Sequence, residues 1–270
     1  MTSTDHATRA LHAADRGTAV MRRRSARHGA TVRLSVSELR LMVRDPVTLI
    51  FVVAFPVVGM LIIGSSFGTE ADEVFPVDPT QWYVASYFTT VIGAIGLVML
   101  PVHIASYRER GVLRRFAVAG FPRWSFALAE LIVGMCALVV GGVLVLAAAA
   151  PVFGVPAVAD PIRVIAASVA GCIAFISIGV VLGTLVPRAR SAQALGLMLF
   201  FPSFLLGAGG PPPRAMGDIL ADISQWMPLS LVTQAVRGPW LGLETSGTAL
   251  ALIVLMAVAA SALAAWRAIL

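Results

Sequence analysis

The chain has 270 residues, of which 58% are hydrophobic and 13% charged, with a net charge of +6. A soluble domain of this size carries about a quarter charged residues, so this composition excludes a soluble globular protein and indicates an integral membrane one. All 20 basic residues are Arg, and without Lys the chain cannot carry the Gly-Lys phosphate-binding loop of P-loop NTPases; any ATPase that drives it is another polypeptide.

Residues 1–28 are polar, Arg-rich and aperiodic, which predicts a disordered cytoplasmic tail. Arg22-Arg23-Arg24 resembles the start of a twin-arginine signal, but Arg33, Glu38, Arg40, Arg44 and Asp45 interrupt the place where its apolar stretch belongs. Beside a membrane, such a tail reads as an orientation signal and a contact for anionic lipid rather than a nucleic-acid arm. Residues 29–45 read as an interfacial amphipathic helix. Val32, Val36, Leu39 and Val43 recur at helical spacing, with Arg33, Ser37, Arg40 and Arg44 on another face. Asp45-Pro46 then supplies an N-cap and a first-turn proline for the next helix.

Residues 46–270 form the membrane domain. About 20 apolar residues suffice to cross the hydrocarbon core, and six windows qualify: 47–67, 82–106, 125–150, 164–186, 191–210 and 248–266. The expected fold is therefore all-α with six transmembrane helices and both termini on one side. Seventeen arginines fall in the tail, after the second and fourth windows and at the C-terminus, leaving only Arg163, Arg214 and Arg237 for the other side. The positive-inside rule places both termini in the cytoplasm. The first outer loop holds Glu70, Asp72, Glu73 and Asp78 and no Arg.

Between the second and third windows lies a short basic segment, Tyr-Arg-Glu-Arg-Gly-Val-Leu-Arg-Arg-Phe at 107–116, followed by Pro122, Arg123 and Trp124. Val112, Leu113 and Phe116 fit an apolar face. Arg108, Arg110, Arg114 and Arg115 are placed to pair with carboxylates of a soluble partner. Ionisable groups near spans are functional suspects: His103 lies near the inner end of the second window and Glu130 near the start of the third, where each is a candidate for substrate or gating contact and where snorkelling toward water is affordable. Tyr83, Tyr87 and Thr90, with Phe55, Phe200 and Phe204, are candidates to line an amphipathic substrate path. Walls of Ala, Val, Leu and Gly favour a lipophilic substrate. Gly179 and Gly183 form a small-xxx-small pair suited to close helix approach. Cys136 and Cys172 read as packing residues, and no His, Cys and carboxylate cluster has metal-ligand spacing. Between the last two windows, Met216, Ile219, Leu220, Ile223 and Met227 keep a helical spacing, and a second apolar stretch covers 229–236. These predict two short helices in the outer leaflet, with Trp226 and Trp240 as interfacial anchors.

From residue 30 to 268 the order of features resembles a known family. A flat basic helix meets Arg44-Asp45-Pro46, an acidic outer loop follows, then the 107–116 segment with Pro122. Met227-Pro228 and Gln234-Ala235-Val236-Arg237-Gly238 precede the last span. This is similar to the permease subunits of ABC-2 type exporters, and most like the drug-resistance branch that includes the daunorubicin exporter permeases. The resemblance implies a homo- or heterodimer of permeases in a bacterial inner membrane, with two separate ATPase subunits docked beneath. It makes the segment from Arg108 to Trp124 a coupling helix, with Arg108, Glu109, Arg110, Gly111, Leu113, Arg114, Arg115 and Phe116 meeting the ATPase. The implied cargo is a hydrophobic, drug-like compound, with a lipid, glycolipid or polysaccharide carrier as the alternative. No cofactor is expected on this chain; ATP and Mg belong to the partner. An intramembrane enzyme lacks its catalytic set here. An ion-coupled transporter would need mid-membrane carboxylates, and remains the remote alternative.

Overall fold

Aspartate–proline steps open three helices. Asp45 lies outside any helix and Pro46 is helical. At Asp78-Pro79 the carboxylate accepts from the Thr80 amide at 2.8 Å. At Asp160-Pro161 it accepts from the Arg163 amide at 3.0 Å. In each pair proline tolerates the first turn because its missing N–H would have no partner there, and at Asp78 and Asp160 the aspartate satisfies an orphan donor.

The structure is a computed structural model that describes residues 36, 45–46, 50–112, 115, 118, 123–243 and 247–269. The tail at 1–28, most of the amphipathic helix at 29–45, and Leu113, Arg114 and Phe116 lie outside the described residues. Among the described residues all regular structure is helical. In chain order the long elements are α1 (Ile50–Gly64), α2 (Pro79–Glu109), α3 (Arg123–Ala149), α4 (Pro161–Leu185), α5 (Ala189–Gly207), α6 (Asp218–Trp226), α7 (Pro228–Leu241) and α8 (Gly247–Ile269). Five of these, α2, α3, α4, α5 and α8, are long and apolar enough to cross a membrane, against the six windows read from the sequence. The remaining window corresponds to α1, a shorter apolar helix; at 1.5 Å per residue its described part reaches about 22 Å.

Prolines shape two of the helices. A π turn at Ile50–Ala54 precedes Pro56, and another at Ile95–Met99 precedes Pro101. A proline inside a helix removes one backbone donor and pushes against the carbonyl four residues back, and a wider turn accommodates both effects.

Helix α2 is the axis of the molecule, buried along most of its length and packed against α1, α3, α4, α5 and α7. Within a bilayer apolar side chains gain nothing by leaving lipid, so association depends on close packing and polar contacts. Glycine provides the close packing at the α2–α4 crossing. A Cβ at Gly179 would stand 2.5 Å from the Gly96 carbonyl oxygen, and one at Gly183 would stand 3.0 Å from that of Pro101. Hydroxyl pairs supply the polar contacts: Thr89 with Thr233 joins α2 to α7, and Ser177 with Ser261 joins α4 to α8, each at 2.8 Å.

The connections segregate to two ends. At one, Arg214 donates to the Glu73 carbonyl at 3.4 Å, Tyr83 to that of Gly210 at 3.3 Å, and the Ala159 amide to that of Trp240 at 3.0 Å. The first loop, the α3–α4 loop and the α5–α6 loop therefore meet there. The segment after α2 and the α4–α5 turn share the opposite end. The outward faces of α3, α5 and α8 stay apolar, with Val139, Met198, Leu255 and Val258 more than 60% exposed.

The two short helices before the last span are present, and they differ from the expected pair. In α6, Trp226 is exposed, as an interfacial anchor would be. Helix α7 instead runs through Pro239 to Leu241 and is buried on nearly all sides. Trp240 is enclosed: its ring meets Phe88 edge-on at 5.2 Å, and its indole N–H donates to the Pro156 carbonyl at 3.2 Å. It is thus a core residue that ties α7 to the α3–α4 loop, because that loop folds over the position a lone short helix would leave open. Gly242, at φ 67°, ends α7 in the left-handed conformation that glycine adopts without strain.

Candidate functional site

The end of α2 carries the basic segment. The Arg110 amide donates to the Ser106 carbonyl at 3.0 Å and the Gly111 amide to that of Arg108 at 3.1 Å, after which Gly111 takes φ +68°. This conformation costs a residue with a Cβ about 1 kcal/mol and glycine nothing, which explains Gly111 at this position. Beyond it Val112, Arg115 and Val118 are helical, and the Arg115 amide donates to the Gly111 carbonyl at 3.3 Å. Arg115 is exposed and Val118 is 91% exposed. A basic and an apolar side chain thus stand outward on one short segment.

Arg108 and Glu109 face the other way, onto the α4–α5 turn. Arg108 Nη1 donates to the carbonyl of Gly183 at 3.3 Å, to that of Thr184, and to that of Val186 at 3.4 Å. Gly183 and Thr184 carry two of the last carbonyls of α4, which have no partner within the helix and sit at the negative end of its dipole, and Val186 follows directly after it. Glu109 Oε2 accepts from the Ala189 amide at 3.1 Å, at the positive start of α5. One dipeptide therefore caps two helices with matching charges. Of the basic residues placed opposite a partner's carboxylates, Arg108 is committed to this internal contact, while Arg110 and Arg115 are exposed.

Above the turn, His103 and Glu130 are brought together across α2 and α3, with Nε2 and Oε1 3.8 Å apart. The His103 ring lies 4.5 Å from Tyr107, which in turn lies 6.0 Å from Phe126. Glu130 is 1% exposed, so the carboxyl is enclosed by protein rather than snorkelling to water. It is the only buried carboxylate among the described residues.

Of the residues nominated for a substrate path, Phe55, Tyr83, Tyr87, Phe200 and Phe204 form one packed aromatic group toward the opposite end, which His103 and Glu130 do not join. Phe55 lies 4.9 Å from Phe204 and 5.7 Å from Phe200; Tyr87 lies 5.7 Å from Phe204 and 6.3 Å from Tyr83. Tyr83, Tyr87, Thr90 and Phe200 are almost wholly buried, and the Thr90 hydroxyl turns back to the Ser86 carbonyl at 3.4 Å. The group links α1, α2 and α5 by ring contacts worth about 0.5–1.5 kcal/mol each beyond area burial.

One residue that sequence patterning left as an outer-side arginine is buried at the heart of this end. Arg237 is 8% exposed, stacks on the Trp82 ring at 3.4 Å and donates to Ser86 Oγ at 3.0 Å. The available signal was a lone Arg at the end of a short apolar stretch, a placement that water-facing loops do not require. Among the described residues no group of three or more His, Cys, Asp and Glu gathers as a metal site would.

A model of the family described as ABC-2 type transporter matches residues 30–241, a region that includes α1 to α7. No curated protein matches the chain.

Proposed function

The chain belongs to the ABC-2 type transporter family, and from that premise we propose that it is the permease subunit of an ATP-driven exporter whose ATPase docks on the segment after α2. The members of this family are membrane permeases and carry no catalytic site themselves. In the proposed assembly two permease copies, identical or paralogous, stand over two ATPase subunits at the cytoplasmic face. Arg110, Arg115 and Val118 offer the ATPase a basic and apolar tip. Gly111 sets the angle of that tip against α2. Displacement of the tip passes directly to α2 and, through Arg108 and Glu109, to the facing ends of α4 and α5.

The observation that carries this reading is the double cap. A segment that served only to orient the chain in the bilayer would need positive charge, not a carboxylate and a guanidinium each placed on a different helix end. The cargo we propose is a hydrophobic, drug-like compound, taken from the cytoplasm or the inner leaflet. The apolar span walls, with a single buried carboxylate among the described residues, support it.

The test is a variant combining Gly111→Pro, whose ring fixes φ near −65°, with Phe116→Asp, purified together with the ATPase. Membrane insertion is expected to persist while substrate-stimulated ATP hydrolysis and transport are lost. Normal substrate-stimulated hydrolysis in this variant would exclude the coupling role.

A further inference from the structure

At the end opposite the double cap, the first loop, α2, the α5–α6 loop, α6, α7 and the start of α8 line an open-sided cavity of about 450 Å³. Its polar wall consists of Arg214, Gln225, Gln234 and Arg237, and among the described residues no carboxylate lines it. Trp82 and Leu243 belong to the apolar remainder.

Arg237 is the unusual member. A guanidinium has five N–H donors and does not give up its charge. Here one nitrogen reaches Ser86 Oγ and the flat face rests on Trp82, with no carboxylate in contact among the described residues. Burying a charge without a counter-charge is expensive unless other groups satisfy it. An arginine kept 8% exposed at the wall of a cavity is therefore a built half-site for an anion. Arg214 adds a second positive charge from an exposed position, and its Nη1 contact with the Glu73 carbonyl at 3.4 Å holds it beside the first loop. Planar guanidinium groups match phosphate and carboxylate oxygens two at a time, while Gln225 and Gln234 can donate to the remaining oxygens. The apolar wall suits a hydrocarbon portion next to the charged head.

We propose that this cavity binds an anionic amphiphile, its phosphate or carboxylate head held by Arg237 and Arg214 and its apolar part against Trp82. Cationic amphiphiles are repelled by the same pair. Treating the bound amphiphile as cargo rests on the exporter reading, whereas binding does not, and the test below uses the chain without its ATPase so that the two stand or fall separately.

The experiment measures binding to the purified full chain in a neutral detergent by microscale thermophoresis. The probes are dioctanoyl phosphatidylglycerol, the neutral dioctanoylglycerol, and inorganic phosphate. Phosphatidylglycerol is expected to bind, and to bind more weakly as salt rises. Dioctanoylglycerol, which loses the charge-assisted contacts, and inorganic phosphate, which loses the apolar burial, are each expected to bind at least about tenfold more weakly. Arg214→Gln, on an exposed residue, is expected to weaken phosphatidylglycerol about threefold to tenfold without altering thermal unfolding, and Arg237→Gln more severely. Equal affinity for dioctanoylglycerol would overturn recognition of the anion. Equal affinity for inorganic phosphate would overturn recognition of the amphiphile. Unchanged affinity in Arg214→Gln would overturn the assignment to this cavity.

Discussion

Replacing Arg108 and Glu109 together by Ala removes both caps from the α4–α5 turn. Arg108 Nη1 reaches two carbonyls at the end of α4 and that of Val186 just beyond it, and Glu109 accepts from the first amide of α5. A lost cap costs about 1 kcal/mol, and the charge–dipole part alone about 0.3–1 kcal/mol. Both side chains are exposed, so water takes over part of each contact and the lower half of the hydrogen-bond range applies. About 1 kcal/mol per residue gives about 2 kcal/mol for the pair, taken as an upper figure because the two caps share one turn and neighbouring losses need not add. At about 1.4 kcal/mol per decade this is a shift of roughly thirtyfold in the local opening equilibrium. Hydrogen exchange on the peptide covering 183–190 reads that shift directly. Exchange is expected to accelerate about tenfold to thirtyfold there and to stay unchanged in α7, while the amount of substrate moved per ATP falls. Unchanged exchange at 183–190, or accelerated exchange with full coupling, would refute the role given to the double cap.

Gly179→Leu places a side chain where the Gly96 carbonyl oxygen stands 2.5 Å from a Cβ; α2 and α4 must separate, and thermal unfolding in detergent should show a loss of about 1–3 kcal/mol or more. Gly217→Ala, where a Cβ meets nothing within 4 Å but the residue is the N-cap of α6, should change unfolding by less than about 1 kcal/mol, the poorer cap being offset by the stiffer unfolded chain. Trp240→Ala removes an enclosed ring and the donor to Pro156, and should cost about 3–5 kcal/mol, whereas Trp226→Ala on the exposed face of α6 should cost far less by the same measurement. Glu130→Ala leaves His103 without the carboxylate that faces it across α2 and α3, and a loss of about 1–3 kcal/mol in unfolding free energy is expected.

The helix boundaries were legible where a local rule governs them. The 82–106 window appears as Pro79–Glu109 and the 164–186 window as Pro161–Leu185, each lengthened by an Asp-Pro start that hydropathy alone does not register. The Gly179–Gly183 pair was readable as a close-approach motif because small residues four apart share a helix face, and both glycines do meet α2. What escaped reading depends on contacts between distant segments. Trp240 has the composition of an interfacial anchor, and only the α3–α4 loop folding over it makes it core. Arg108 and Glu109 look like two more charges in a basic loop, and only the return of α4 beside α2 turns them into caps. Arg237 counted as one of three arginines on the far side, while its burial follows from Trp82 and Ser86, about 150 residues earlier in the chain.

The most direct measurement of the central claim is transport in proteoliposomes that contain this chain with and without the proposed ATPase subunit. ATP-dependent movement of a hydrophobic substrate is predicted only when both are present, with no response to a proton or sodium gradient. Movement driven by such a gradient in vesicles that hold this chain alone would contradict the account.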